Sequence, residues 1–261
     1  MTAPPTDGPL RRFRRHASYL RLMVANGAAA GTLARWAMDG LRTRRRRKSA
    51  EARRATAEFT AGAANGDFTS TWFDDHIPEW AALLEPLRRR GAPLRVLEIG
   101  SWEGRSTLFL LTYLPTATVT AVDTWDGAGG SGTAAEAGRA EARFDANLAR
   151  FGERLVKLKG RSADHLPKLA AEAPASFDLV YVDGSHDEDD VMADALLAWR
   201  LLRSDGIVVF DDYLWAPDAV SRQRGPCRAI NRFLHLVKRE CRVLHCGWQV
   251  SVLKTGTGTA P

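Results

Sequence analysis

The chain has 261 residues, 45% hydrophobic and 26% charged, which is enough for one domain of about 200 residues with a full core and an extension. The formal net charge of +6 is lopsided: residues 1–54 hold thirteen arginines and one lysine against Asp7, Asp39 and Glu51, so the remainder is net acidic. Enzymes of nucleic acids carry positive surface around their active sites, and an acidic body with a basic leader argues against such a partner.

In chain order, residues 1–10 hold three prolines and a glycine and read as disordered. Residues 17–41 read as one or two helices broken near Gly27 and Gly31. The uncharged run Leu22 to Ala34 is shorter than the roughly 20 apolar residues that a bilayer requires, so no transmembrane helix is expected. Arg11 to Arg15 before an Ala-rich segment has the outline of an export signal, but Arg21 interrupts it. The cluster Arg42 to Lys48 repels itself and reads as a solvated charged linker, or as a peripheral contact with an anionic membrane surface. Residues 1–54 are therefore taken as a basic extension, partly helical or disordered, residues 55–254 as the catalytic domain, and residues 255–261 as a disordered tail.

From Thr71 the pattern becomes regular. Trp72, Phe73, Ile77, Trp80, Leu83, Leu84 and Leu87 recur at helical spacing, and this helix is expected to cover the sheet edge. Five apolar runs follow, Leu94–Ile99, Thr118–Val122, Leu155–Lys159, Phe177–Val182 and Gly206–Phe210, each buried on both faces if a strand and each separated from the next by helical pattern. A helix from Cys227 to Val237 and two late strands, Arg242–His245 and Gln249–Leu253, turning at Gly247, complete the chain. The fold class is α/β: a doubly wound, mostly parallel seven-stranded sheet with helices on both faces and a C-terminal antiparallel hairpin. The segment Gly127 to Gly138 reads as a flexible active-site loop. Cys227, Cys241 and Cys246 lack metal or redox spacing and read as buried thiols of a protein in the reducing cytoplasm.

Ligands of doubly wound sheets bind at the carboxyl ends of the strands, and here those ends are acidic. The first strand breaks into Glu98-Ile99-Gly100-Ser101-Trp102-Glu103-Gly104, where Gly100 and Gly104 allow a tight turn close to a ligand. The pattern G-x-G-x-x-G is absent, and Glu98 suits a ligand with an ammonium group better than a pyrophosphate. Asp123, one strand, helix and strand later, can accept both ribose hydroxyls of a nucleoside, or cap a helix. Thr124 follows it, and Trp125 either lays its ring on a purine or packs in the core. After the third strand, Ser162 can offer a hydroxyl to an adenine edge. Asp183, Asp211 and Asp212 would repel one another at one sheet edge unless neutralised, which makes them a candidate Mg²⁺ site, the alternative being turn capping by Asp211 or Asp212. His186 is either a general base beside that metal or a surface histidine opening the acidic run Asp187 to Asp190, which would cap the next helix. His76, His165, His235 and His245 have no comparable setting.

The runs Val96 to Thr107, Val122-Asp123-Thr124-Trp125, Phe177 to His186 and Phe210-Asp211-Asp212-Tyr213 resemble the Rossmann-like class I S-adenosylmethionine-dependent methyltransferases. The nearest resemblance is to the macrocin and mycinamicin type of sugar O-methyltransferase, with catechol O-methyltransferase more distant. It implies that Glu98, Gly100 and Ser101 hold the methionine end of the cofactor, Asp123 the ribose and Ser162 the adenine, with Gly104, Thr124, Trp125 and Asp183 also beside it. It further implies Mg²⁺ on Asp183, Asp211 and Asp212 and His186 as base, acting on a hydroxyl of a small-molecule acceptor such as a sugar or diol. A cephalosporin-hydroxylase-like relative and a non-catalytic tether are the rival readings. The Arg-rich leader has no counterpart in the resemblance, which leaves homo-oligomerisation open.

Overall fold

A computed structural model describes residues 9–126 and 134–256. Seven strands form one sheet: β1 (Leu94–Ile99), β2 (Ala117–Asp123), β3 (Leu155–Lys159), β4 (Phe177–Val182), β5 (Leu202–Phe210), β6 (Cys241–Cys246) and β7 (Val250–Lys254). Their order is β3-β2-β1-β4-β5-β7-β6, parallel from β3 to β5, with β7 antiparallel to both β5 and β6. The expected sheet and hairpin are present. β4 is buried at all six positions, as an apolar run covered on both faces requires.

The helices are α1 (Pro9–Ala25), α2 (Ala30–Arg46), α3 (Ala50–Ala63), α4 (Ile77–Arg90), α5 (Arg105–Tyr113), α6 (Ala134–Leu148), α7 (Ser162–Glu172), α8 (Glu188–Leu201), the short α9 (Ser221–Arg224) and α10 (Pro226–Leu236), with a 3₁₀ turn, Trp72–His76, before α4. Alternation along β1 separates two cores: Leu97 and Ile99 join Val191, Trp199 and Phe233 of α8 and α10, and Val96 joins Phe59, Trp80 and Phe109 of α3, α4 and α5. Helix α4 lies on the sheet's face rather than its edge, because Trp80 meets Tyr181 of β4 edge-on with ring centroids 4.9 Å apart. Asp187 caps α8 by accepting from the Asp189 amide, and Glu188, Asp189 and Asp190 sit at the positive end of that helix.

In the leader the two helices and their break at Gly27 are as expected, and the linker and the docking differ. The Arg42–Lys48 cluster is no linker: it forms the last turn of α2 and the bend into α3, and the boundary read at residue 54 falls inside α3. Helices α1 and α2 dock on the body through buried groups. Met23 joins the core of α8 and α10; Asn26 donates to Arg222 O, and Asn231 donates to Asn26 O. Asp39, with no exposed side-chain surface, accepts from the Cys246 amide at 3.0 Å. Among the described residues no helix is long and apolar enough to cross a membrane. The readings of residues 1–8, of most of the Gly127–Gly138 loop and of 257–261 lie outside the described residues.

Candidate active site

The strand register sets the site. Ile99 pairs with Val182 and Val182 with Phe210, so the residues that follow, Gly100, Asp183 and Asp211, emerge side by side at the carboxyl edge. They open into a cleft of about 2270 Å³. Gly100 has φ +84°, and a Cβ there would lie 2.0 Å from the Asp183 carbonyl oxygen, so the β1–β4 junction itself demands glycine. Gly104, expected beside a ligand, is a packing glycine instead: its Cβ would strike Leu148 at 2.7 Å, and it does not line the cleft.

Glu98 points from β1 toward α5, where Ser101 donates to its Oε2 at 2.9 Å and Thr107 donates more closely still. Its other oxygen, Oε1, is buried without a partner. Burial pushes this carboxyl up to about 7, against the pull of the nearby Ser106, Thr107 and Ser101 hydroxyls and with a push from Asp123. Trp102, at φ +46°, presents a second buried orphan, its Nε1 donor, in the same turn.

Asp123 is tied down by backbone. Oδ2 accepts from the amides of Ser101 (2.7 Å) and Trp102 (2.8 Å), and Oδ1 accepts from that of Trp125 (2.8 Å). A carboxylate offers about four lone-pair positions, which leaves room for one ribose hydroxyl rather than the two expected. Thr124 lines the cleft beside it and donates to Asp126 at 2.6 Å. Trp125 is a core residue, 4% exposed, with Phe144 4.8 Å from its ring, Lys157 over it and its Nε1 donating to Trp102 O; these contacts leave it no purine to stack on. Ser162 opens α7 and hydrogen-bonds Asp194, a carboxyl that burial pushes up to about 6. Both line the cleft.

At the other end, single carboxylate oxygens of Asp183, Asp211 and Asp212 lie within 4.8 Å of one another. Tyr181 donates toward both Asp183 (2.9 Å) and Asp211, Gln249 Nε2 donates to Asp211 (2.8 Å), and Trp248 Nε1 donates to Asp212 (2.9 Å). Lost hydration, then Asp211 and Asp212, push Asp183 well above the usual carboxylate range. Asp211 is raised by burial first, an effect that nearby His76 opposes. Three half-buried carboxylates at this distance fit a hard divalent cation, which would relieve both terms at once. His186 donates from Nε2 to Asp212 Oδ2 at 2.6 Å, and its ring stacks on Trp215 with centroids 4.3 Å apart. Nδ1 is then the nitrogen left to accept a proton.

The sequence reading missed His76, Glu79, Tyr181 and Gln249, all lining this cleft. Tyr181 was within reach, since residues two apart in a strand share a face and Asp183 had been singled out. The others come from distant segments and carry no local signature.

Residues 97–213 match a family model described as a methyltransferase domain. The matched segment spans 117 of the chain's 261 residues. In structure this segment and its flanks resemble the O-methyltransferase TomG of Streptomyces achromogenes, involved in tomaymycin synthesis and bound to SAM, at 21% identity over 80% of this chain and 92% of TomG, with a TM-score of 0.51. They also resemble the methyltransferase MycE of the mycinamycin biosynthetic pathway, bound to Mg and SAH (17% identity, 79% and 56% coverage, TM-score 0.56), and an SAH-bound methyltransferase of Podospora anserina (17%, 77% and 88%, 0.52). The chain spans little more than half of MycE's length, and these likenesses are of fold. No curated protein matches in sequence.

Proposed function

We propose that the protein is an S-adenosylmethionine-dependent O-methyltransferase that works with Mg²⁺ on a hydroxyl of a small molecule, in the manner of the sugar-methylating type. The observation that carries this reading is Glu98 Oε1, a buried carboxylate oxygen with no partner, in the turn that ends β1. An ammonium group supplies what it lacks, and the neighbouring Trp102 Nε1 is a donor suited to the carboxylate of the same amino-acid moiety. The cofactor bound by TomG and by MycE, and the Mg in MycE, support the same assignment.

S-adenosylmethionine supplies an activated methyl group on a sulfonium, and Mg²⁺ supplies the Lewis acidity that lowers a hydroxyl's pKa. The protein's own groups do the rest. Glu98 and Asp123 fix the two ends of the nucleoside amino acid, and Ser162 with Asp194 borders the far end of the cleft. Asp183, Asp211 and Asp212 hold the cation; Tyr181 and Gln249 orient the first two. His186, held by Asp212 and Trp215, takes the acceptor's proton at Nδ1. Most of the acceleration comes from positioning two bound reactants.

The test is calorimetric titration of S-adenosylhomocysteine into the protein, followed by transfer of labelled methyl to vicinal-diol compounds with Mg²⁺ and with chelator. Micromolar binding and metal-dependent transfer are expected. Absence of binding to the folded protein overturns the reading, and binding without transfer to any acceptor favours a hydroxylase-like activity on the same fold.

A further inference from the structure

One wall of the cleft is made by the leader. Trp36, Asp39 and Thr43 of α2, with Arg47 at its C-cap, line the cleft; Asp39 accepts from the Cys246 amide of β6 and Arg47 donates to Asp75 O of the 3₁₀ turn, so α2 bounds the cleft beside β6. Glu79 of α4 lies in this wall. It is 9% exposed, and neither of its carboxylate oxygens has a partner at full hydrogen-bond geometry, although the Thr43 hydroxyl and Glu79's own amide lie close enough to favour its charged form. On the same wall Asp39 Oδ1 and His245 Nδ1 are also buried without one. Arg47 offsets this burial only in part: its Nη2 donates to Asp75 O at 2.9 Å, and lost hydration raises the Glu79 carboxyl against the opposing pull of Arg47, Thr43 and His76.

Glu79 is one step from the chemistry. His76, which lines the same cleft, lowers both the Glu79 and the Asp211 carboxyl by its charge. The adjacent Trp80 donates to Gln249 Oε1 at 2.7 Å, and Gln249 donates to Asp211. A buried acceptor without a donor is costly, and a fold with no use for it is better served by an apolar side chain.

We propose that Glu79, walled in by α2, is an acceptor-recognition subsite that takes a hydrogen-bond-donating group, hydroxyl or amine, on the non-reacting part of the acceptor. This rests on the O-methyltransferase reading. Anionic groups are excluded there by charge, and apolar ones leave the carboxylate unpaired.

The test uses the full chain with Mg²⁺ and four matched probes: 4-methylcatechol, 3,4-dihydroxybenzyl alcohol, dopamine and 3,4-dihydroxybenzoate. The alcohol, the amine or both should exceed 4-methylcatechol in kcat/KM by about tenfold, with the carboxylate poorest. Preference for the alcohol alone identifies a neutral hydroxyl, and preference for both identifies donors in general. Glu79→Leu should bring those ratios toward one, while the Kd for S-adenosylhomocysteine stays within twofold and the melting temperature does not fall. Ratios unchanged in Glu79→Leu overturn the inference. So does a lower melting temperature in both Glu79→Leu and Glu79→Gln, which makes Glu79 a structural contact. No transfer to any probe by the parent protein, with S-adenosylhomocysteine still bound, removes the acceptor reading and this subsite with it.

Discussion

At the β2 end of the cleft, one carboxylate, Asp123, is held by three backbone amides; at the β4–β5 end, three carboxylates share a tyrosine, a glutamine amide, an indole and an imidazole. In the first arrangement the donors come from the turn itself, so the charge is settled by the local fold and the turn is rigid without a ligand. In the second, half-buried carboxylates crowd one another, and the proposed cation would relieve both their lost hydration and their repulsion. On the proposed function one end positions and the other reacts, and the two should come apart under mutation.

The sharpest way to separate them is Asp212→Ala, which removes a cation ligand and the partner of His186. Methyl transfer should fall by about 10³-fold, read with labelled S-adenosylmethionine, while S-adenosylhomocysteine binds within a few-fold of the parent. Equal loss of cofactor binding would merge the two ends into one. The converse variant, Asp123→Ala, should weaken S-adenosylhomocysteine by about 10- to 100-fold in calorimetry, through the lost ribose contact and a loosened turn.

A smaller effect concerns protons. Glu98 titrates near 7 in the free protein, and a bound ammonium lowers that value, so binding below pH 7 expels a proton. Affinity should therefore rise by about tenfold between pH 6 and pH 8 and then level off; titrations in two buffers of different ionisation enthalpy would count the proton. The stability contribution of the free site has the matching sign. The folded value lies above the ordinary 4.5, so Glu98 favours folding below that pH and ceases to do so as pH rises through 7. The smallest effect is on neither end: Asp39→Ala leaves the Cys246 amide unpaired and should cost about 1–3 kcal/mol, a drop of a few degrees in thermal unfolding, with S-adenosylhomocysteine affinity unchanged. Unaltered melting would mean that α2 is held by its apolar face alone.

The reacting end was legible in the sequence because its acids follow immediately on apolar strands, and a parallel sheet brings successive strand ends together. Glu98 and Asp123 were legible for the same reason. Less so were the neighbours that decide what those groups can do. Trp125 had two readings, and only the positions of Phe144 and Lys157, remote in sequence, separate them. Gly104 looked like a ligand-facing glycine, but its φ of +80° serves contact with α6. The leader's helices and their break were legible but its docking was not, because its arginines dominate any reading of charge, while the groups that dock it are single residues, Asn26 and Asp39, whose partners lie about 200 positions downstream. His76 and Glu79 gain meaning only once the 3₁₀ turn and α4 are placed over β4.

The docking of α2 against the hairpin has an evolutionary consequence. On the proposed function, the strand ends that would carry cofactor and cation belong to one stretch of the chain, while part of the wall that would surround the acceptor belongs to another, attached mainly through side chains. Substitutions in α2 can therefore retune which molecule is admitted without disturbing the strands, so a descendant could acquire a new substrate in small steps, each of them still folded and still able to hold its cofactor.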